Sequence, residues 1–216
     1  MRRQTISSII LCLGLAACQT SQPAHYAGLS SSSALRPNPR SDSARIPYRL
    51  DSEVSWSTYK NVIVEPVTIY RGQDHQFGDL SEADKVSLAD YMQTRFTQNL
   101  GRRFTLARNP SQNTLRVRLT LTGAATNTPV IGTLSRFDVA GGVYNVIQSV
   151  SDGEGAFTGS VIYAVEIYDA ASNRLLKAFI AKQYPNAYDI PSSLGPLDAA
   201  KRGIESGAVE LAAQLV

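Results

Sequence analysis

Leu115, Val117, Leu119 and Leu121 alternate without a break with Arg116, Arg118, Thr120 and Thr122, so residues 115–122 form a strand with one apolar face. The alternation puts the leucine side in a core and the arginine–threonine side in water. An apolar sheet face has to be covered, and two helical patterns supply the cover. Ser81, with Asp84 three residues on, makes a capping box that opens a helix in which Leu88, Met92, Phe96 and Leu100 recur on one side, and Gly101 is its natural stop. A second helix begins near Leu197 and aligns Leu197, Ala200, Ile204, Ala208, Leu211 and Leu215. Gly203 and Gly207 each cost that helix about 1 kcal/mol, a loss that close packing of a small-residue face on a sheet offsets.

The remaining strands follow from composition and turns. Residues 59–70 are rich in Val, Ile, Thr and Tyr and predict a first strand, with Pro66 implying an edge position or a bulge. Phe104 to Ala107 predicts a short strand and Asn109-Pro110 a turn. Gly159 to Asp169 and Arg174 to Tyr184 flank Ala170-Ala171-Ser172-Asn173 and predict an antiparallel hairpin. The order predicts an α+β two-layer sandwich: a mainly antiparallel, four- to five-stranded sheet with two helices on one face. At 216 residues, one domain is expected.

Ahead of that domain stands a leader. Met1-Arg2-Arg3 is a basic start, and the run Ile6 to Leu15, about ten residues, is too short to cross a hydrocarbon core that needs roughly 20. Leu15-Ala16-Ala17-Cys18 then resembles a lipobox. Small residues enter a narrow peptidase site, and the thiol is the nucleophile that accepts a diacylglyceryl group. The alternative is an ordinary Ala-x-Ala cleavage beside an incidental cysteine. Gln4 and Thr5 after the arginine pair do not resemble a twin-arginine signal, so general secretion is expected. Gln19, rather than an aspartate, follows the cysteine, which by resemblance to the sorting rule of enteric bacteria favours the periplasmic face of the outer membrane.

The chain thus divides into a removed signal peptide (1–17), a lipidated N-terminus and flexible tether (18–55) and a domain (56–216). The tether carries Pro23, Pro37, Pro39 and Pro47 and the run Ser30 to Ser33, and its expected reach on the order of 30 Å would lift the domain off a bilayer. Leu35, Ile46, Tyr48 and Leu50 are placed to dock part of it. Without the leader, the formal charge of +3 falls to about +1, and nothing argues for nucleic acid. Cys12 lies inside the leader and Cys18 at its end, so the folded part has no thiol and forms no intramolecular disulfide.

Residues 128–157 break the pattern. Val130, Ile131, Leu134, Phe137, Val139, Val143, Tyr144, Ile147 and Val150 stand among five glycines. So long a connection in a small domain is either a cover for the sheet or a functional, apolar flap. On the second reading Val130, Ile131, Leu134, Phe137, Val143, Tyr144 and Ile147 touch a partner protein or lipid.

No catalytic constellation stands out. Asp74-His75 with Asp79, Glu82 and Asp84 is the densest polar group, but a solitary histidine is no metal motif and Asp84 is a helix cap. His25 lies in the tether. Gly153-x-Gly155 with Gly159 lacks the preceding strand and following helix of a phosphate loop. No catalytic, cofactor-binding or metal residues are assigned, and no cofactor is expected.

The block Tyr59-Lys60-Asn61-Val62-Ile63-Val64-Glu65-Pro66-Val67, the strand Leu115-Arg116-Val117-Arg118, and Glu166-Ile167-Tyr168-Asp169 with Leu175-Leu176-Lys177-Ala178 resemble a proteobacterial lipoprotein family of unknown function, of the domain of unknown function 3313 type. The resemblance spans roughly Ser55 to Val216. It implies a lipobox ahead of the domain, and no catalytic residues. The expected function is a membrane-anchored periplasmic lipoprotein acting as a non-enzymatic interaction or accessory subunit, with an unidentified envelope protein as partner. A carrier or sensor of an apolar ligand such as a lipid is the alternative, and an envelope hydrolase with dispersed carboxylates a third.

Overall fold

In the computed structural model, which describes residues 22–126, 159–185 and 195–215, the strands join in one sheet. Its strands are β1 (Arg36–Pro37), β2 (Tyr48–Asp51), β3 (Asn61–Val64), β4 (Thr68–Ile69), β5 (Thr105–Leu106), β6 (Thr114–Ala125), β7 (Ser160–Asp169) and β8 (Leu175–Gln183). The helices are α1 (Glu82–Gly101) and α2 (Asp198–Gln214). Among the described residues the sheet order is β1-β2-β8-β7-β6-β3-β5, with β4 also on β6.

The fold class is α+β with both helices on one face, as expected, but the sheet is larger and mixed. It has eight strands among the described residues, and β3, β4 and β5 run parallel to their neighbours. The physical reason for the parallel half is α1, which carries the chain back over the sheet between β4 and β5 so that the next strands start at the same end. Pro66, which has no N–H to give a ladder, splits the expected strand at 59–70 into β3 and β4.

The helix face holds the main core. Leu115, Val117, Leu119 and Leu121 of β6, with Val161, Tyr163, Val165 and Ile167 of β7, are sealed under Leu88, Met92, Phe96 and Leu100 of α1 and Ala200, Ile204, Ala208 and Leu211 of α2. Ser81 caps α1 as its capping box requires, accepting from the Asp84 N–H at 3.1 Å. In α2 the glycines are contact points. A Cβ at Gly203 would stand 2.9 Å from the Gln183 carbonyl oxygen, and one at Gly207 would collide with the Tyr163 hydroxyl.

The other face is where the expectation fails. The Arg116–Thr122 side of β6 does not lie open to water: Thr120 and Thr122 are buried. Tyr26, Leu29, Leu35 and Tyr70 form a second core there with Ile162, Ala164, Ala178 and Ile180. The segment expected to be a flexible tether is therefore packed from Pro23 onward and adds β1 and β2 to the sheet, β2 pairing with β8 from Tyr48↔Ile180 to Asp51↔Lys177. Its prolines fit this role, since Pro37 lies on the outermost strand, where a missing N–H costs no ladder bond. The packed unit thus extends back well beyond residue 56. Cys18, the leader and all seven apolar contact candidates from Val130 to Ile147 lie outside the described residues.

Candidate functional site

On the second face a cleft of about 910 Å³ opens between the N-terminal segment and the β3–β4 side of the sheet. Gly28, Leu29 and Ser30 form one wall, Glu65, Pro66 and residues 68–72 form the other, and Arg118, Thr120 and Glu166 make the floor. The strand alternation places Arg118 and Thr120 here, two residues apart on one face of β6. Glu166 stands directly across on β7.

The floor is a closed set of charges. Arg118 donates from Nε to Glu65 Oε2 at 2.8 Å and from Nη1 to the Ser30 hydroxyl at 2.9 Å, and Nη1 lies 3.9 Å from Glu166 Oε2. Glu166, almost wholly buried, accepts from the Ser31 N–H at 2.5 Å. Arg116 Nε lies 3.4 Å from the other Glu65 oxygen, and both guanidinium groups stack over the Tyr168 ring. The hydrogen bond to Glu65 lifts the Arg118 pKa above its already high value. Burial, with the nearby Glu166 charge, raises the Tyr168 hydroxyl. Arg118 and Glu166 of the floor, Glu65 of the wall and the neighbouring Arg116 are thus bound to one another, an arrangement suited to holding a shape.

The wall is built around Tyr70 and Asp74. The Tyr70 hydroxyl donates to Asp74 Oδ1 at 2.8 Å and accepts from the Gly28 N–H at 2.9 Å, while Asp74 Oδ2 accepts from the Ala27 N–H at 3.0 Å. The Tyr70 hydrogen bond and then the Ala27 N–H hold the Asp74 carboxyl below its ordinary value. Burial raises Tyr70, and raises Tyr26, packed edge-on against it, to about 12.

The polar group singled out at 74–84 is thus dispersed among structural tasks. Asp74 holds the N-terminal segment, Glu82 pairs with Arg71 and Lys85, Asp84 caps α1, and His75 packs on Phe77. Among the described residues no group of three or more His, Cys, Asp or Glu side chains converges on a metal position. His25 stacks edge-on against Tyr48, 5.0 Å between ring centres.

The residues that do come together, Glu65, Tyr70, Arg118 and Glu166, were not anticipated from the sequence. One signal was available: Glu166 is the lone acid in the apolar run Val161 to Ile167, and a buried carboxylate needs a partner on the neighbouring strand.

A family model described as a protein of unknown function (DUF3313) matches residues 25–211. Among curated proteins nothing matches significantly. Of solved structures, the PelC dodecamer from Paraburkholderia phytofirmans is 11% identical with a TM-score of 0.39, covering 74% of this chain and 94% of that one. A hypothetical protein from Chlamydia trachomatis is 10% identical with a TM-score of 0.32, covering 72% and 98%. A candidate lipoprotein from Caulobacter crescentus CB15 is 14% identical with a TM-score of 0.26, covering 74% and 85%. Likenesses this distant do not bear on what the chain does.

Proposed function

The chain belongs to the DUF3313 family of proteins of unknown function, and from that premise we propose that it is a membrane-anchored envelope lipoprotein acting as a non-enzymatic interaction or accessory subunit. One observation carries the proposal: a basic start, a ten-residue apolar run and Leu15-Ala16-Ala17-Cys18 stand just ahead of the family-matched region. Cys18 is the acylated residue, and two or more chains on it anchor stably. No helix among the described residues is long and apolar enough to cross a membrane. The Gln19 that follows supports the periplasmic face of the outer membrane. The self-paired floor of the cleft supports a contact role over chemistry, because Glu65, Glu166 and Arg118 are each engaged by a neighbour. An envelope protein is the proposed partner, and Val130, Ile131, Leu134, Phe137, Val143, Tyr144 and Ile147 are the proposed contacts with that partner or with lipid.

The test is the mass of the mature protein together with its fractionation. Acyl mass on Cys18, and loss of membrane association in Cys18→Ser, are the expected results. A mature chain that begins elsewhere, or a Cys18→Ser protein that stays fully with membranes, overturns the proposal. A second reading, carriage of an apolar envelope ligand, is favoured by the cleft, whose walls include Leu29, Pro66 and Ile69. Native mass spectrometry after gentle extraction decides it, since repeated empty protein counts against a carrier.

A further inference from the structure

The residues that hold the front of the chain also fix where it leaves the domain. Gln76 grips it: Nε2 donates to the Gln22 carbonyl at 2.9 Å, and Oε1 accepts from the Ala24 N–H at 2.7 Å and from the Tyr26 hydroxyl. Gln76 is itself fastened to the end of β6. Its N–H donates to the Thr122 carbonyl at 2.9 Å, its carbonyl accepts from the Ala124 N–H at 3.2 Å, and the strand between them passes so close that a Cβ at Gly123 would stand 2.6 Å from the Gln76 oxygen. The chain therefore emerges beside the C-terminal end of β6.

Thr126 lies at that end too, next to Ala125, which pairs with Ser160. The opposite end of the sheet carries Thr114 and the turn at 170–173, where the Ala170 N–H donates to the Thr114 carbonyl at 2.9 Å. With 12 residues in β6, the two ends stand about 40 Å apart at roughly 3.4 Å per residue.

Four peptide links separate Cys18 from Gln22. At no more than about 3.6 Å per residue they span about 14 Å, and the interfacial layer of a bilayer takes about 5–8 Å of that. What is left is less than the roughly 10 Å width of one helix, so no folded partner fits between this end and the lipid.

We propose that the β6 C-terminal end of the domain, presenting Gln76, Asp79 and Thr126, rests on the phospholipid headgroups, with the 170–173 turn held away from them. The proposal rests on acylation of Cys18 as read above. It replaces a long tether with a short leash, and it turns the 170–173 end of the sheet toward the periplasm.

The test uses the full lipidated protein in phosphatidylcholine vesicles that carry a headgroup-attached quencher. Cys18 is the sole cysteine after the leader and acylation occupies it, so Asp79→Cys and Ala171→Cys each provide a unique site for a fluorophore. Both positions are exposed. The probe at 79 is expected to be quenched several-fold more than the probe at 171, and a long Gly-Ser insertion between Gln19 and Thr20 is expected to bring the two together. Equal quenching at both positions, in protein that stays on the vesicles, overturns the seating and leaves the anchor reading standing. Protein that leaves the vesicles and shows no acyl mass overturns both.

Discussion

Arg118 and Glu166 are register partners on the antiparallel strands β6 and β7, with the guanidinium Nη1 3.9 Å from Glu166 Oε2. The same carboxylate accepts from the Ser31 N–H, so one side chain joins two central strands to the N-terminal segment. Removing it leaves the buried Ser31 amide without an acceptor and takes the opposite charge away from Arg118. Glu166→Ala is expected to cost about 3 kcal/mol in urea unfolding. Glu166→Gln keeps an acceptor for Ser31 and is expected to cost less than half as much. Equal losses for the two variants would show that the Ser31 contact contributes nothing.

Gly207 tests the seat of α2. Alanine there gains about 1 kcal/mol of helix propensity, but its methyl group runs into the Tyr163 hydroxyl. The collision is expected to win, with a net loss of about 2 kcal/mol and a lower Tm. Tyr163→Phe combined with Gly207→Ala is expected to recover most of it. Gly101→Ala, whose Cβ would sit at an ordinary 3.4 Å from Leu106, is the control, expected near neutral.

Gln76→Ala removes three hydrogen bonds to residues 22–26 and none to the helices. Hydrogen exchange is expected to quicken about tenfold or more over the N-terminal segment, from a local loss of about 1.4 kcal/mol or greater. Exchange in α1 and β6 to β8 is expected to change far less. Uniform quickening throughout would mean that the segment and the sheet open as one unit.

Acid is expected to loosen the same segment. Asp74 is held below its ordinary pKa by the Tyr70 hydroxyl and the Ala27 N–H. A carboxylate depressed in the folded state contributes stability that is complete above the unfolded value of about 3.9 and is lost as pH falls through the folded one. Protection at Ala27 and Gly28, taken against the free-peptide exchange rate at each pH, should therefore fall below about pH 4. In Asp74→Asn that loss of protection should be absent, which a pH series of exchange measurements checks.

The layer on the helix face was legible because its signals are periodic. The capping box at Ser81, the Leu88-to-Leu100 stripe, the Leu115-to-Leu121 alternation and the 160–183 hairpin all recur in the structure. What was missed lacks a period. β1 and β2 have two and four residues, too few to alternate, and their prolines imitate a spacer. Arg116 and Arg118 look solvated until Glu65, just past β3, and Glu166 of β7 arrive to pair with them. A hint was present in the nearly unbroken apolar run of β7, which marks a strand covered on both faces.

The pairing of β2 with β8 joins residues more than a hundred positions apart, as Tyr48↔Ile180 shows. On the export route proposed above, the chain crosses the membrane N-terminus first and presents Tyr48 long before Ile180, so for most of translocation β2 has nothing to pair with. Closing so large a loop is slow and comes late. On that route the stretch behind Cys18 stays accessible to processing enzymes until β8, in the last fifth of the polypeptide, arrives, and β2 locks onto the sheet only afterwards.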